Sequence, residues 1–515
     1  MQKHPSLQQL AETWRRQGKA DSLFLLLERH PELKQILLDE TPWATTANEC
    51  SNHMNQLWQL FDTLSVNYRL HSCADRLLDL QNTQGAWTWF KGMTGNLHAT
   101  LEVAENLARI QKTAPQAMLP KLSKALQRSI LYLHKEAAKA IEIHKKHKTS
   151  PIGESLLRYL YICALTDVPR TANISYLIQQ LQAHAGNYDL YTKALAARIL
   201  TLYGKKNQAQ NLTTSLLEHT VYSPEGGRGF DPSSRTWTRD SYRIGAHIAL
   251  MEVLAESTDT TTLKEMAQWL MQSKRTQYWK QSGIAADAIY FLFNHYSTPL
   301  ETPNTSFPSI IMNMKDGTSR VIITEENMQQ MATMGYIYET IQPKEQNQLP
   351  VSISLQPADQ HMAFAAVHLK YTLPTRLVKA RDAGISLSAQ YEVKRGSQWK
   401  AISQQTVLHK GDLVRVCYTI KADRDYDFVS LKTGRAACME PVNTASGYTG
   451  QCYREVEDAS CNYFFQHISK GTTWLEDSFT IDRTGTFSTA APSLQCTYAP
   501  EFSARTAATS FKVKQ

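Results

Sequence analysis

Apolar residues recur at spacings of three and four over residues 21–39, 47–80, 96–112, 118–147, 152–165, 174–184, 189–203, 206–219, 240–256, 261–274 and 284–296, and each stretch predicts an amphipathic helix. Short polar connections separate them, with Pro115, Pro151, Pro169, Gly186, Gly204 and Gly226-Gly227-Arg228-Gly229 as breakers. Helices of similar length on short links pack as antiparallel hairpins, and hairpins in series close into a solenoid or a ring. Around Ser297-Thr298-Pro299, followed by Pro303 and Pro308, the period drops to two. Strands are predicted at Ser309–Asn313, Arg320–Ile323, Gly335–Glu339, His361–Tyr371, Ile385–Tyr391, Leu413–Lys421, Phe428–Lys432, Tyr463–His467, Thr473–Ile481, Gly485–Thr489 and Gln495–Tyr498. Their spacing favours β sandwiches over a parallel βαβ sheet. The predicted fold class is multidomain: an α/α toroid over residues 1–297, then two β-sandwich domains at 298–400 and 401–515.

Between two of the helical stretches lies the loop Gln81-Asn82-Thr83-Gln84-Gly85-Ala86-Trp87-Thr88-Trp89-Phe90-Lys91-Gly92-Met93. Gly85 suits a tight positive-φ turn, Gln81 can bond backbone at the corner, and Trp87, Trp89 and Phe90 are predicted to bury large areas between neighbouring helices. Both tryptophans read as core residues rather than ligand stackers. A second aromatic corner, Tyr222 to Trp237, precedes the stretch 240–256 much as the first precedes 96–112. Gln-x-x-x-Gly-x-Trp corners suit an α/α toroid and exclude most other soluble enzyme folds, while naming very few functions.

Composition narrows the partners more than the chemistry. At 515 residues and 42% apolar content the chain can bury more than one core. An excess of 55 Lys and Arg over 47 Asp and Glu gives +8, spread along the chain, so nucleic acid is not implied. The densest basic run, Ile143-His144-Lys145-Lys146-His147-Lys148, ends a helical stretch and reads as a solvated helix end favoured by the dipole. The opening residues have no apolar signal-like region, and no window has the apolar run of a transmembrane segment. Of eight cysteines, Cys50, Cys73 and Cys163 lie in the helical part and Cys417, Cys438, Cys452, Cys461 and Cys496 in the last fifth. None forms Cys-x-x-Cys; two disulfides in an oxidising compartment are compatible with the last five, and most read as small buried core residues.

Catalytic motifs do not emerge. There is no Gly-x-Ser-x-Gly elbow and no His-Glu-x-x-His helix. His144 and His147 sit three apart among lysines, where a cation is disfavoured, and read as surface histidines. The Gly226–Gly229 cluster follows no predicted strand and lacks a Gly-Lys-Ser/Thr ending, so it reads as a helix connection. Terpene cyclases on a toroid share the Gln-x-x-x-Gly-x-Trp corner but protonate through an Asp-x-Asp-Asp acid that this chain lacks. Polysaccharide lyases use similar rings with Tyr, His and Arg, and Tyr242-Arg243 is available here. No residue is therefore assigned a catalytic, cofactor-binding or metal-ligating role, and the chain reads as built to bind or assemble.

Several separated signatures resemble one family, the bacterial alpha-2-macroglobulin-like proteins, in their C-terminal third. Leu33-Lys34-Gln35-Ile36-Leu37-Leu38-Asp39-Glu40-Thr41-Pro42-Trp43 resembles a segment early in the family's helical domain, and Gln81 to Met93 resembles its aromatic loop, with Ala86 where a second glycine is usual. Trp269 to Trp279 and Ala286-Asp287-Ala288-Ile289-Tyr290 resemble the end of that toroid. The most specific block includes Gly411-Asp412-Leu413-Val414-Arg415-Val416, Asp423-Arg424-Asp425-Tyr426-Asp427-Phe428-Val429, Ala436-Ala437-Cys438-Met439-Glu440-Pro441, Ser446-Gly447-Tyr448, Tyr453-Arg454-Glu455-Val456, Asp458, Lys470-Gly471-Thr472, Arg483-Thr484-Gly485-Thr486-Phe487 and Tyr498-Ala499-Pro500-Glu501-Phe502. It resembles the family's last macroglobulin domain.

The resemblance implies the C-terminal part of a trap-type endopeptidase inhibitor of the bacterial envelope or periplasm, not an enzyme, with no cofactor. Relatives offer a bait segment whose cleavage releases a strained conformation, and many then acylate the protease through a Cys–Gln thioester. That chemistry needs Cys-x-Glu-Gln, which is absent; Cys50 is followed by Ser51-Asn52-His53. Implied partners are proteases, through the complete protein, and an upstream macroglobulin polypeptide that covers an apolar flank of an incomplete ring. Glu440, Tyr448, Arg454, Glu455 and Asp458 are motif positions implied to hold the last sandwich and its contact with the toroid. Two rivals stay open: a toroidal cyclase-like or lyase-like enzyme with a carbohydrate-binding β tail, and an envelope scaffold that binds a partner without trapping. Acidic groups converging inside the ring would favour the enzyme, whereas an interior of Leu, Ala and aromatics would disfavour it.

Overall fold

The helical grammar of the first half is realised wherever the structure describes it. The computed structural model describes residues 63–115, 118–146, 151–231, 240–279, 282–295, 309–315, 317–321, 350–356, 374, 377–403 and 405–515. The expected helix at 21–39, the start of that at 47–80, and the strands at Gly335–Glu339 and His361–Tyr371 lie outside them. Ten helices fall among the described residues: α1 (Thr63–Leu78), α2 (Leu97–Thr113), α3 (Pro120–Lys146), α4 (Glu154–Leu165), α5 (Ala172–His184), α6 (Leu190–Leu202), α7 (Lys206–Leu217), α8 (Asp240–Ala255), α9 (Thr260–Thr276) and α10 (Ser282–His295).

Local signals fix where these helices begin. Asn96, Thr171 and Asp189 each sit extended at an N-terminus, with side chains accepting from the N–H of Ala99, Ile174 and Thr192. On α3, Leu122, Ala125, Leu126, Ser129, Leu133, Ala137 and Ile141 make one buried stripe at spacings of three and four, facing its neighbours. α2 packs on α3 and α4, α6 on α4, α7 and α8, and α8 on α10. Together they bury one apolar cluster that runs from Ala74 to Phe291.

Between α7 and α8 the sequence predicts an ordinary connection; the chain instead forms a hairpin, β1 (Thr220–Ser223) with β2 (Gly227–Phe230). Two glycines let it lie close on α9. A Cβ at Gly227, where φ is +73°, would stand 2.4 Å from the Glu265 carbonyl oxygen, and one at Gly229 would stand 2.2 Å from the Trp269 indole nitrogen. Trp237 lies outside the described residues.

Three strands, β3 (Ser309–Met314), β4 (Ser319–Val321) and β5 (Pro350–Gln356), form a small antiparallel sheet in the order β4-β3-β5. The helices and this sheet fall mainly in one compact unit, and the strands from residue 381 onward belong to a second.

That second unit contains β6 (Arg381–Ala383), β7 (Ile385–Arg395), β8 (Gln398–Ala401), β9 (Val407–His409), β10 (Leu413–Ala422), β11 (Tyr426–Lys432), β12 (Met439–Pro441), β13 (Gly447–Thr449), β14 (Cys452–Val456), β15 (Cys461–Ile468), β16 (Gly471–Ile481), β17 (Gly485–Ser488), β18 (Ser493–Cys496), β19 (Ser503–Arg505) and β20 (Ser510–Lys514). A long sheet runs β12-β16-β10-β7-β6-β19-β18-β11-β15-β14-β13, with β8 beside β7, and a small one runs β17-β20-β9. Although β10 and β15 are far apart along that path, the Tyr418 and Tyr463 rings lie 6.2 Å apart, so the sheet's inner faces share one core. β7 pairs with β10 from Ile385 to Val393, which carries this sheet across the division expected at residue 400.

Candidate functional site

The aromatic corner is built as a clamp on α3. Gly85 turns at φ +88°, and a Cβ there would stand 2.3 Å from the Arg128 carbonyl oxygen, so only glycine lets the loop reach the helix. The Gln81 amide donates to the carbonyls of Gly85 (3.1 Å) and Ala125 (2.8 Å) and to Ser129 Oγ (2.9 Å). Trp87 is 1% exposed and its indole N–H donates to the same Ser129 Oγ at 2.9 Å. The expected burial of the other two aromatics does not hold. Past the buried Thr88, whose hydroxyl bonds the carbonyls of Leu80 and Phe90, the loop turns outward and leaves Trp89 61% and Phe90 72% exposed.

Inside the helical unit, charged side chains from α2, α4, α6, α8 and α10 converge. Arg158 Nε meets Glu105 at 2.7 Å and its Nη2 meets Glu102 at 2.7 Å; Arg109 Nη2 meets Glu105 at 3.0 Å. Arg198 Nη1 meets Glu252 at 3.1 Å, Tyr161 Oη donates to the same carboxylate at 3.1 Å, and Arg109 also pairs with Asp287. The Arg198 guanidinium lies 3.7 Å from the Tyr161 ring centroid, and that of Arg109 lies 4.9 Å from the Tyr290 centroid. Glu105, Arg109, Arg198 and Glu252 are all buried.

The electrostatics oppose an acid–base role. Burial alone would raise the Glu105 carboxyl, but Arg109, Arg158 and Arg198 override it and hold it at about 2. Burial, then Glu252, pushes the Tyr161 phenol far upward. Burial also lifts the Asp287 carboxyl above its ordinary value against the pull of Arg109. Acidic groups do converge here, as the enzyme reading asks, yet each faces an arginine; such a lattice fixes helix register better than it moves protons. Sequence analysis singles out none of these residues, because charges at helical spacing carry no motif of their own. Glu105 and Arg109 do carry a positional signal: they fall on the stripe that also carries Leu101, Ala104 and Ala108.

Other sequence candidates stay apart. Arg243 is buried, with its guanidinium 5.8 Å from the Trp269 centroid. Deeper in the same place, His247 donates from Nε2 to the Met266 carbonyl at 2.9 Å, and burial lowers its pKa to about 3, so it stays neutral. His144 Nδ1 meets Tyr176 Oη at 3.0 Å, while His147 lies outside the described residues. Among the described residues no group of His, Cys, Asp and Glu could hold a metal ion, and no helix is long and apolar enough to cross a membrane. Cys163, Cys438, Cys452, Cys461 and Cys496 are buried, and burial pushes the Cys438 and Cys461 thiols to about 11.

In the second unit, Arg454 grips Asp477 with both nitrogens, Nε to Oδ2 at 2.8 Å and Nη2 to Oδ1 at 3.1 Å, and Tyr463 Oη donates to the same carboxylate. The pair is buried and ties β14 to β16. Glu440 is 56% exposed with Arg435 3.7 Å away; the Asp458 carbonyl accepts from Arg435, and burial raises the Glu455 carboxyl. Tyr448 projects into solvent at 81% exposure, edge-on to Tyr453. Elsewhere, Asp427 Oδ1 meets His467 Nδ1 at 2.6 Å, and His467 Nε2 meets Ser469 Oγ at 3.2 Å. The order of groups is that of a nucleophile-activating triad, which the motif search missed because His467 and Ser469 form no known spacing.

Residues 384–501, spanning β7 through β18, match the family described as Bacterial Alpha-2-macroglobulin MG10 domain. The chain contains a bacterial alpha-2-macroglobulin MG10 domain. This match begins one residue before β7, in keeping with the pairing of β7 into the domain's sheet. A search of curated proteins returns no match. Among solved structures, trypsin-activated alpha-2-macroglobulin from Escherichia coli aligns at 13% identity and a TM-score of 0.39, over 86% of this chain and 29% of that one. The Escherichia coli protein activated by porcine elastase aligns at 12% and 0.37, over 86% and 38%. Its native fragment from domain MG7 to the C-terminus aligns at 12% and 0.31, over 86% and 67%. The likeness to this family rests on the MG10 match at 384–501. This chain spans about 29% of the length of the first of these structures.

Proposed function

We propose that the chain serves as the C-terminal, non-enzymatic part of a bacterial alpha-2-macroglobulin-like endopeptidase inhibitor in the cell envelope or periplasm. The observation that carries this is the MG10 match at 384–501, preceded in the chain by a long run of paired helices. In this reading the helices through residue 297 form an α/α toroid, a β domain follows, and the MG10 domain is a β sandwich that starts near residue 384 rather than 401. The buried lattice around Glu105 supports a structural role, because its charges are matched in place. None of the eight cysteines is followed by x-Glu-Gln, so no thioester forms within this chain.

In this reading protease capture depends on a bait segment and macroglobulin domains that lie outside these residues. The test is to mix the purified chain with trypsin and follow cleavage of a large protein substrate and of a small peptide anilide. Alone, the chain is expected to leave both rates unchanged and to form no covalent adduct. Trapping by the isolated chain would overturn the division of labour.

A second reading rests on Asp427, His467 and Ser469, whose arrangement suits hydrolysis of an activated ester. His467 is 43% exposed at its side chain, so water competes for its bonds and this reading ranks below the first. A serine-directed fluorophosphonate separates them: labelling at Ser469 that is lost in Asp427→Asn would favour hydrolysis.

A further inference from the structure

Residues Met271–Tyr278, the last turn and a half of α9 and the two residues beyond it, group with the second compact unit rather than with the rest of that helix. The Gln277 N–H still bonds the Ser273 carbonyl at 2.8 Å, but at Tyr278 the chain has left the helix, and its N–H donates to Asp427 Oδ2. Beside this bond, Arg275 Nη2 meets Glu501 at 2.6 Å, and the Tyr278 ring stands edge-on to Phe428 with centroids 6.0 Å apart. Asp427, Phe428 and Glu501 all belong to the MG10 match.

The MG10 side of this contact is built for it. Asp427 is 8% exposed, and a carboxylate so buried is costly unless its oxygens are bonded. Strand register sets it opposite His467, whose Nδ1 meets Oδ1 at 2.6 Å and leaves Oδ2 for the Tyr278 N–H. A carboxylate only accepts, so Nδ1 carries the proton, and in the neutral ring Nε2 accepts from the Ser469 hydroxyl. The next residue, Phe428, turns at φ +57°, which a bulky side chain holds only where its surroundings enforce it. Its carbonyl accepts from the Thr497 N–H at 2.9 Å, and the Tyr498 ring packs edge-on against it at 5.4 Å. The captured main-chain N–H sets where the segment sits, and the ring contact selects an aromatic side chain. The Arg275 and Glu501 side chains are 40% and 41% exposed, so their pair adds orientation more than affinity.

We infer that the MG10 domain holds Met271–Tyr278 as a docked strap: Asp427 captures the Tyr278 amide, His467 is the positioning residue that fixes that carboxylate, and Phe428 seats the tyrosine ring. The inference does not rest on the inhibitor reading, and it gives the Asp427–His467 pair a task that needs no nucleophile. Hydrogen exchange of the full chain, read by mass spectrometry on peptides covering residues 271–277, tests it. Tyr278→Pro removes the donated N–H and the ring while leaving every MG10 residue in place, and should speed exchange there about tenfold or more. Asp427→Ala should do the same. His467→Ala should speed exchange several-fold, whereas His467→Gln, which keeps a donor for Asp427, should restore the parent rate, and Ser469→Ala should leave it unchanged. Exchange across residues 384–501 should stay at parent values in Tyr278→Pro, which separates a released strap from an unfolded domain. Parent exchange at 271–277 in Tyr278→Pro overturns the proposal. So does His467→Gln exchanging as fast as His467→Ala, or an effect of Ser469→Ala as large as that of His467→Ala.

Discussion

Replacing Glu105 with Gln tests the buried charge lattice at its centre. The substitution keeps shape and removes the charge that Arg109, Arg158 and Arg198 share. In the folded chain the carboxyl is held at about 2, against 4.5 for a free one. At about 1.4 kcal/mol per tenfold change in proton affinity, this difference is worth roughly 3 kcal/mol at neutral pH. That agrees in size with the roughly 3–5 kcal/mol lost when one partner of a buried ion pair is removed. Because the folded value lies below the unfolded one, the contribution is present above pH 4.5 and fades as pH falls from there through about 2. Urea unfolding followed by helical circular dichroism at 222 nm, repeated from pH 7 to pH 3, measures it. Glu105→Gln should unfold at lower urea by roughly 3 kcal/mol at pH 7, with the gap narrowing in acid. A gap under about 0.5 kcal/mol at pH 7, or one that does not shrink with acid, would refute the lattice as a stabilising element.

The corner makes paired predictions. Trp87→Phe loses the bond to Ser129 and should cost about 2 kcal/mol, whereas Trp89→Ala should stay within about 0.5 kcal/mol, both read by thermal or urea unfolding. Gly85→Ala sets a Cβ against the Arg128 carbonyl in a positive-φ turn and should cost about 2–3 kcal/mol by the same assay; an unchanged midpoint would contradict the clamp. In the MG10 domain, Arg454→Ala leaves Asp477 buried without its partner and should cost about 3–5 kcal/mol, read as a shifted near-ultraviolet unfolding transition.

Much of the fold is legible in hydrophobic period because period reports burial directly. α2 to α10 fall within two residues of the predicted stretches at nearly every end, and the long strands β7, β10, β15 and β16 coincide with predicted alternation. Most of what escaped is short: β6, β8, β9, β12, β13, β14, β19 and β20 run from three to five residues, where pairing partners rather than local pattern decide the state, and β5 escaped as well although Val351, Ile353 and Leu355 alternate in it. β7 lies before the boundary expected at residue 400, joined to its sheet by long-range pairing that no local composition announces. The side chains of Trp89 and Phe90 alone predict core positions, whereas the backbone turn after Thr88 determines which way they face. The partners in the Glu105 lattice and in the Arg454–Asp477 pair come from distant segments, so spacing along the chain does not join them.

The proposed function makes these residues a passive part of a larger protease trap whose bait lies outside them. Crosslinking the full chain in the cells that make it, isolating it, and identifying the attached proteins by mass spectrometry tests that directly. The account predicts macroglobulin domains carrying a bait segment, on the same polypeptide or on one linked to it, and protease retained with them after bait cleavage. Recovery of the folded chain without any bait-bearing macroglobulin domain, attached or linked, would contradict it.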